Sequence, residues 1–335
     1  MKKMKIGYLG AGTWGFCLAT LLAEKGHRVI LWTSKPAFAK YLQKNLEHPK
    51  LPGVKASGDI IFTSEIHDAL QDIELLVESV TAMGLRPVLE QVKLVRSPDC
   101  PLVITSKGIE QNTLFLLPEV AYDVLGDAMK MQVGYLSGPS HAEEVIHHLP
   151  TSVVCSAFNP NIIPLILDTF STPYFRIYPN NDIYGVAFGG AMKNIIAIAC
   201  GISDGLGFGD NTKAALMTRG LHEMRKLSVT KGCNPETLNG LSGLGDLCVT
   251  CLSTLSRNYR FGRLLADGLS SEAAKENIGM VVEGVYSCLS AVQLGLKANI
   301  PVPISQAVYS ILYEGLNPKD AVKSLLQRAT KEERL

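Results

Sequence analysis

Short apolar runs alternate with amphipathic segments up to residue 178. The runs have the length and the Val, Ile and Leu content of buried strands, and the segments between them carry apolar residues at helical spacing. Strands are predicted at residues 5–9, 28–32, 60–63, 75–79, 102–105, 133–136, 152–156 and 174–178. Helices are predicted between them, including residues 13–25, 36–46, 86–95 and 162–170. This alternation is typical of βαβ units and predicts a largely parallel, doubly wound sheet.

The pattern changes at the polar turn of residues 179–182. Almost only helical spacing follows, with predicted helices at residues 185–201, 212–226, 282–296, 303–313 and 318–328. We therefore predict an α/β domain over residues 1–181 and an all-α domain over residues 182–335. The charged stretch 331–334 is predicted to be a solvated tail.

A glycine-rich loop follows the first predicted strand. Gly10, Gly12 and Gly15 form G-x-G-x-x-G between that strand and a helix, and a second strand ends about 20 residues later. The first glycine suits a tight turn, the second the close approach of a pyrophosphate, and the third close packing of helix on strand. The α/β half is therefore predicted to be a Rossmann-like domain that binds a dinucleotide at a helix N-terminus.

The chain start also has features of a signal peptide, because lysines at 2, 3 and 5 precede a mostly apolar run. Glycines interrupt that run, and no convincing small-residue cleavage site follows it. No later stretch reaches the roughly 18 uninterrupted apolar residues of a membrane span. We therefore expect a cytoplasmic protein without a membrane span.

Composition narrows the class of protein. Of the 335 residues 47% are hydrophobic and 19% charged, and the formal net charge is +1. This balance argues against a nucleic-acid partner held by a bulk basic field. The eight cysteines are expected to be reduced thiols, because a chain of this size needs no disulfides to fold. Cys248 and Cys251 lack the partners of a zinc site and are interpreted as two small side chains on one helical turn, so no metal is expected.

The end of the second strand bears on the choice of cofactor. An acidic residue there would accept hydrogen bonds from the ribose hydroxyls of NAD and repel the extra phosphate of NADP. Ser34 and Lys35 stand there instead, with no carboxylate beside them. We therefore expect NADPH to be preferred, with NADH also used.

Lys193 is the one charged residue between Asp182 and Asp204. A lysine on an apolar helix either extends to the surface or has a chemical role. Desolvation favours the neutral amine, which suits acid/base work near neutral pH. Asp246 lies in what is predicted to be a glycine-rich turn at residues 243–247, and it is a candidate partner in the same half.

Two further groups could bind anions. Ser256, Arg257 and Asn258, followed by Arg260 and Arg263, supply the donors that suit a phosphate, because a guanidinium matches two phosphate oxygens. In the α/β half, residues 105–108 and 137–140 end two strands, where ligands of doubly wound folds bind. Lys107 in the first of these is either a solvated lysine or a second anion contact.

Eight ordered motifs carry a family resemblance that extends from residue 5 to about residue 328. The chain closely resembles the bacterial-type NAD(P)-dependent glycerol-3-phosphate dehydrogenases. The motifs are residues 10–15, 105–108, 137–145, 189–209, 212–221, 241–247, 256–262 and 281–285. The resemblance implies reversible hydride transfer between NAD(P)H and dihydroxyacetone phosphate, which gives sn-glycerol 3-phosphate for phospholipid synthesis.

The resemblance also implies roles for single residues. Lys193 resembles the proton acceptor in alcohol oxidation and the proton donor in ketone reduction. Residues that resemble substrate contacts are Lys107, Gly138, Ser140, Lys193, Asp246, Ser256, Arg257 and Asn258. Residues that resemble cofactor contacts, besides the three loop glycines, are Thr13, Trp14, Ser34, Lys35, Lys107, Ala142, Arg257, Val281 and Glu283.

Some positions depart from the commoner family pattern. Thr13 replaces a frequent serine and keeps the hydroxyl group. Phe16 and Cys17 stand where smaller residues are common, so we expect different packing behind the glycine loop. The turn at Ser34 and Lys35 lacks a frequent Arg or His, which bears on the strength of the NADP preference.

Two other functions fit parts of the sequence. A 3-hydroxyacyl-CoA or 6-phosphogluconate dehydrogenase would share the dinucleotide fold and a helical second domain, and the segment 256–258 separates the chain from them. A dinucleotide sensor without enzyme activity would not need Lys193.

The apolar helical half is also compatible with a homodimer, because it could leave an apolar face to bury against a second copy.

Overall fold

The computed structural model describes residues 2–329 and 332, so the predicted tail at 331–334 lies outside the described residues except for Glu332. The chain divides into two compact units. Unit 1 comprises Met1–Lys107 and Leu117–Val186, and unit 2 comprises Gly108–Leu116 and Ala187–Leu335. The chain therefore enters unit 2 directly after Lys107, returns to unit 1 at Leu117 and leaves it again within a helix.

Unit 1 is built on one eight-stranded sheet with the order β3-β2-β1-β4-β5-β6-β7-β8. Six of the seven neighbouring pairs are parallel, and β6 and β7 are antiparallel. The prediction of a mainly parallel sheet is confirmed. The strands are β1 (Lys5–Leu9), β2 (Arg28–Trp32), β3 (Ile60–Thr63), β4 (Leu75–Glu78), β5 (Leu102–Ile104), β6 (Val133–Ser137), β7 (Thr151–Ala157) and β8 (Phe175–Asn180).

Seven helices connect the strands of unit 1. They are α1 (Thr13–Glu24), α2 (Pro36–Asn45), α3 (Ile66–Leu70), α4 (Ala82–Val95), α5 (Leu117–Leu125), α6 (Ala142–Val145) and α7 (Ile163–Phe170). All four residues of β4 and all three of β5 are buried. A parallel sheet covered on both faces needs apolar residues on both sides of each strand, which explains the continuous apolar runs in the sequence.

The strand order reverses between β1 and β4. In doubly wound sheets, ligands bind outside the carboxyl ends of the strands at such a reversal. The glycine loop at residues 10–15 follows β1 directly, so the topology places it at the point where this fold binds dinucleotides.

Unit 2 is helical. Its helices are α8 (Ile183–Gly205, of which residues 183–186 belong to unit 1), α9 (Gly209–Ser228), α10 (Asp246–Leu252), α11 (Arg257–Ala266), α12 (Ser271–Ile278), α13 (Glu283–Ala298), α14 (Pro303–Tyr313) and α15 (Pro318–Leu326). Among the described residues, α8 alone is long and apolar enough to cross a membrane, and 94% of its apolar window is buried inside the protein. This burial is what the central helix of a folded core shows.

Close backbone packing fixes α8 against α11. A Cβ on Gly201 would lie 2.0 Å from the carbonyl oxygen of Tyr259, and a Cβ on Gly262 would lie 2.2 Å from that of Ile198. Neither position can hold a side chain without moving a helix. The two glycines therefore set the distance between the helix of Lys193 and the helix that begins at Arg257.

Candidate active site

The glycine loop of unit 1 is tight on its strand side and open at its centre. Gly10 has a φ of +103°, and its N–H donates to the Trp32 carbonyl at 2.9 Å. A Cβ on Gly15 would lie 1.9 Å from the Gly10 carbonyl oxygen, so α1 packs closely on the turn. Gly12 is exposed, and a Cβ there would meet nothing within 4 Å. Open space at Gly12 leaves the backbone accessible to a phosphate group.

The N-terminus of α1 also suits an anion. No side chain caps it, and its first turn carries no acidic residue, so the helix dipole is not offset there. Thr13 and Trp14 are half-buried in this turn. The Trp14 ring packs on Phe175 with centroids 6.5 Å apart, and its buried Nε1 has no hydrogen bond to any described residue. The loop and the orphaned indole N–H together fit a dinucleotide.

An aromatic cluster fills the space behind the loop. Phe16 is fully buried, with its ring 6.1 Å from Phe62 and 5.7 Å from His48. Phe38 contacts His48 edge-on at 5.5 Å. Desolvation lowers the pKa of His48 to about 4, so its imidazole is neutral at physiological pH. The large Phe16 side chain is thus packed among the ring of Phe62 on β3 and the rings of Phe38 and His48, which lie between β2 and β3.

Ser34 and Lys35 are exposed directly after β2. The Lys35 carbonyl accepts from the N–H groups of Phe38 and Ala39 at 3.0 Å, which starts α2. Because Ser34 and Lys35 are exposed, their side chains are available to a ligand at the surface of unit 1.

Lys107, Gly138 and Ser140 converge in unit 1. Lys107 Nζ donates to the Gly138 carbonyl at 2.9 Å, and Ser140 Oγ donates to the same oxygen at 3.0 Å. Ala142 begins α6 two residues later and is buried. The structure therefore brings together three of the predicted contacts, at the ends of the neighbouring strands β5 and β6.

A buried carboxyl group that sequence reasoning missed supports this loop. Glu78 is the last residue of β4 and is fully buried. Its Oε1 accepts from Ser106 Oγ at 2.6 Å, and its Oε2 accepts from the Val80 N–H at 3.1 Å. Desolvation raises the pKa of Glu78 to about 7. Glu78 therefore holds the residue before Lys107 through a group that titrates near physiological pH.

In unit 2, Lys193 is buried and held by two partners. Its Nζ donates to Asp246 Oδ1 and, at 2.8 Å, to Thr250 Oγ1. Lys193 is 7% exposed and Asp246 fully buried. Burial disfavours the ammonium form, whereas the adjacent carboxylate favours it. The lysine therefore does not extend to the surface, and its position is set by two residues of α10.

Asp246 differs from its prediction in local structure. Residues Leu241–Gly245 form a π-helical turn, and Asp246 is the first residue of α10 rather than part of a glycine turn. Thr250 follows one helical turn later and lies on the same face. Its hydroxyl donates to the Asp246 carbonyl at 2.5 Å while accepting from Lys193, so its orientation is fixed.

The N-terminus of α11 gathers the predicted phosphate donors. Ser256 caps the helix, because its Oγ accepts from the Tyr259 N–H at 3.2 Å, a bond that does not use the hydroxyl proton. Arg257 is the first helical residue, and its Nη1 donates to the Val281 carbonyl at 3.1 Å. No acidic residue lies in the first turn. Arg260 and Arg263 are exposed further along the helix.

Asn258 positions three helices. Its Nδ2 donates to Asn194 Oδ1 at 2.9 Å, and its Oδ1 accepts from the Gly284 N–H at 2.9 Å. Asn194 follows Lys193 in α8, and Gly284 follows Glu283, the first residue of α13. The amide of Asn258 therefore links the side chain of the residue after Lys193 to the backbone of the segment that contains Val281 and Glu283.

The described residues contain no group of three His, Cys, Asp or Glu side chains that could hold a metal ion. Cys248 and Cys251 both lie on α10 as free thiols. Burial raises the pKa of the Cys248 thiol, and a hydrogen bond with Cys200 together with burial raises that of Cys251. Protonated thiols are poor nucleophiles and poor metal ligands.

Comparison with known proteins accounts for both halves of this arrangement. Residues 5–163 match the family described as NAD-dependent glycerol-3-phosphate dehydrogenase N-terminus, and residues 182–323 match its C-terminus. The chain belongs to the NAD-dependent glycerol-3-phosphate dehydrogenase family. It is 59% identical to glycerol-3-phosphate dehydrogenase [NAD(P)+] of Protochlamydia amoebophila over 99% of both chains, and 55% identical to that of Chlamydia pneumoniae over the same shares.

A solved member of the family has the same fold. The crystal structure of glycerol-3-phosphate dehydrogenase (gpsA) from Coxiella burnetii superposes with a TM-score of 0.92 at 36% identity, covering 97% of this chain and 99% of that one. The Rossmann-type N-terminal fold and the helical C-terminal fold of the family are therefore both confirmed for this chain.

Thr250 and Asn194 were not predicted as site residues, and the structure shows that they contact Lys193 and Asn258 respectively. The spacing of Asp246 and Thr250 would place them on one helical face, but the glycines at 243 and 245 favoured a turn at that point. The asparagine next to Lys193 in an apolar stretch was a second signal of a polar contact, because the amide of a buried asparagine needs a hydrogen-bond partner.

Proposed function

We propose that this chain catalyses the reversible NAD(P)H-dependent reduction of dihydroxyacetone phosphate to sn-glycerol 3-phosphate, in supply of glycerophospholipid synthesis. The observation that carries the proposal is the buried Lys193, held by Asp246 and Thr250, in a chain whose relatives bear the name of this enzyme.

Lys193 is the proposed catalytic acid/base. Negative charge develops on the ketone oxygen during reduction, and a positioned ammonium stabilises that charge and donates the proton. The bound cofactor supplies the hydride. In alcohol oxidation the neutral amine accepts the proton from the hydroxyl group. Asp246 and Thr250 orient Nζ, and a further proposed role of Asp246 is a hydrogen bond to a substrate hydroxyl.

Ser256, Arg257 and Asn258 are the proposed phosphate-binding residues of unit 2. Supporting this role, the first two lie at the N-terminus of α11, where a helix favours an anion, and Asn258 fixes the first turn. Lys107, Gly138 and Ser140 are the proposed substrate contacts of unit 1, and their convergence on one carbonyl oxygen supports a shared role.

The proposed cofactor contacts of unit 1 are Gly10, Gly12, Thr13, Trp14, Gly15, Ser34, Lys35, Lys107 and Ala142. Those of unit 2 are Arg257, Val281 and Glu283.

We propose a preference for NADPH over NADH. Ser34 and Lys35 offer a hydroxyl group and a cation after β2, at the place where a carboxylate would repel the 2′-phosphate. The preference is tested by kcat/KM for the two cofactors. Equal or better use of NADH refutes it.

The division of labour follows the sequence. We propose that residues 1–181 bind the dinucleotide and that residues 182–335 bind substrate and carry the acid/base group. We further propose a cytoplasmic location, no nucleic-acid partner and a homodimer, the last of these from the apolar content of the helical half.

The deciding experiment follows NADPH oxidation with dihydroxyacetone phosphate and, in parallel, with acetoacetyl-CoA. Turnover of the first substrate alone supports the proposal, and turnover of the second supports a 3-hydroxyacyl-CoA dehydrogenase. Lys193→Ala is expected to lose most of kcat. NADPH should still bind to this variant, and its binding should still quench the tryptophan fluorescence of the protein. Lys297→Ala, an exposed lysine of α13, is the matched control.

Two outcomes would count against this assignment. Near-wild-type turnover by Lys193→Ala would remove the lysine from catalysis. Intact NADPH binding without turnover of any phosphorylated keto-triose would favour a dinucleotide sensor instead.

A further inference from the structure

A cavity lies in unit 2 and shares no residue with the proposed active site. Its volume is about 630 Å³, within the range of roughly 300–1,000 Å³ typical of small-molecule sites. Residues of α8, α9, α14 and α15 line it, together with Pro301 and residues that follow α15. It is therefore a site of its own within the helical unit.

The cavity wall is aliphatic. Ile202 of α8, Leu216 of α9, Ile304 and Val308 of α14 and Leu325 of α15 all contribute to it. None of the described residues that line it is Phe, Tyr or Trp. A nucleotide base or another flat ring would find no aromatic side chain to stack on, whereas a hydrocarbon chain matches such a wall.

The charged groups that line the cavity favour an anion. Arg219 and Lys226 are seven residues apart, on one face of α9, and Arg328 follows α15. All three are exposed, so they lie where the cavity meets solvent. His222 also lines the cavity.

The single carboxylate of the lining is already committed. Glu223 is buried, and it accepts from the N–H groups of Ile304 and Ser305 at 2.9 and 3.0 Å and from Ser305 Oγ at 2.5 Å. It thereby caps the N-terminus of α14, and the helix dipole offsets its charge. The remaining charge of the lining is cationic.

We propose that this cavity binds an amphipathic anion, namely an aliphatic monocarboxylate of medium chain length. The hydrocarbon chain lies against the aliphatic wall, and the carboxylate lies at the rim beside Arg219 and Lys226. A site of this kind would let a fatty acid bind to unit 2 without competing for the groups around Lys193.

Isothermal titration calorimetry with decanoate tests the proposal directly and needs no enzyme activity, so its failure is distinct from failure of the proposed function. Decanoate is expected to bind saturably at one site per chain. Decanol and decyltrimethylammonium are expected to bind at least about tenfold more weakly, since both have the chain without the negative charge. Acetate, which has the charge without the chain, is expected not to bind.

Variants locate the site. Arg219→Gln with Lys226→Gln is expected to weaken decanoate binding by about tenfold or more, whereas Lys297→Gln, an exposed lysine outside the cavity, leaves it unchanged. Ala307→Trp fills the cavity and is expected to abolish binding. Circular dichroism and thermal unfolding show whether that variant folds, and the charge variants decide if it does not.

Three results would overturn the proposal. They are equal binding of decanoate and decanol, equal loss of affinity in the Lys297→Gln control, and no saturable binding at all.

Discussion

Lys193 Nζ donates a 2.8 Å hydrogen bond to Thr250 Oγ1, and the same hydroxyl donates to the carbonyl of Asp246. One threonine therefore links the ammonium to the backbone of the helix that supplies its carboxylate. This relationship makes Thr250 a positioning residue for the proposed acid/base group, because it orients Nζ.

Thr250→Val removes the hydroxyl and keeps the shape of the side chain. We expect kcat to fall by about tenfold with KM nearly unchanged, because Nζ loses one of the groups that orient it. The pH profile of kcat should also shift, since the protonation equilibrium of Lys193 depends on its partners. Thr250→Ser restores the hydroxyl and should restore both kcat and the profile. A purely structural role would change thermal stability without moving the pH profile.

Glu78 makes stability depend on pH in an unusual direction. Its pKa is about 7 in the folded protein against an ordinary value of 4.5, so the native state binds more protons than the unfolded state between these pH values. The contribution of Glu78 to the free energy of unfolding therefore falls as pH rises from about 4.5 to 7. The full difference corresponds to roughly 3 kcal/mol as an upper limit.

Glu78→Gln cannot ionise and should gain stability relative to wild type as pH rises through this range. Urea unfolding of both proteins from pH 4.5 to 8 measures the difference. Glu65→Gln, which removes an exposed carboxylate of the same unit, should show no such trend. A wild-type-minus-variant difference that is flat in pH would show that folding does not raise the pKa of Glu78.

His48 acts in the opposite direction. Burial lowers its pKa to about 4 from an ordinary 6.5, so the unfolded state binds more protons between these values and the contribution of His48 to stability is lost as pH falls from 6.5 to 4. His48→Gln should therefore lose less stability than wild type over that interval. Acid unfolding monitored by circular dichroism measures it, with the exposed His147→Gln as control. Parallel acid transitions in wild type and His48→Gln would contradict the expectation.

The loop glycines should separate folding from cofactor binding. Gly15→Ala forces a Cβ to within 1.9 Å of the Gly10 carbonyl, and such overpacking costs roughly 1–3 kcal/mol. Gly12→Ala meets nothing within 4 Å, so its Tm should stay near that of wild type while NADPH binds more weakly. Differential scanning fluorimetry and tryptophan quenching by NADPH measure the two effects. Wild-type NADPH affinity in Gly12→Ala would place the pyrophosphate elsewhere.

Apolar pattern predicted most of the fold because burial determined the pattern. The strands at 5–9, 28–32 and 60–63 have the predicted bounds, since turns and helix starts mark their ends. The antiparallel pairing of β6 with β7 was not predicted. A buried strand presents the same apolar residues in either direction, so its sequence does not encode which way its neighbour runs.

Local pattern was a poorer guide to the site. Lys193 stood out because a charge in an apolar helix is costly. Its partner Thr250 belongs to α10, and this helix was not predicted because the glycines just before it favour a turn. Glu78 lies near the end of the predicted strand 75–79, where a polar residue is ordinary. Its burial depends on Ser106, a residue of another strand end, and such pairs follow from topology rather than from the local sequence.

Arg257 and Arg260 offer a matched pair for the phosphate assignment. Arg257 lies at the N-terminus of α11 and donates to the Val281 carbonyl, whereas Arg260 is exposed one turn later. Arg257→Ala should raise KM for dihydroxyacetone phosphate by about tenfold or more, because a guanidinium–phosphate contact is charge-assisted. Arg260→Ala should leave KM unchanged.

Comparison with dihydroxyacetone, which lacks the phosphate, makes the test specific. If Arg257 binds the phosphate, Arg257→Ala should lower kcat/KM for dihydroxyacetone phosphate and leave that for dihydroxyacetone nearly as it was, so that the ratio of the two collapses. An equal loss for both substrates would assign Arg257 to the cofactor or to the fold of the segment at Val281. A loss confined to the phosphorylated substrate leaves phosphate recognition as the role of its guanidinium, since both substrates share the same reacting carbonyl.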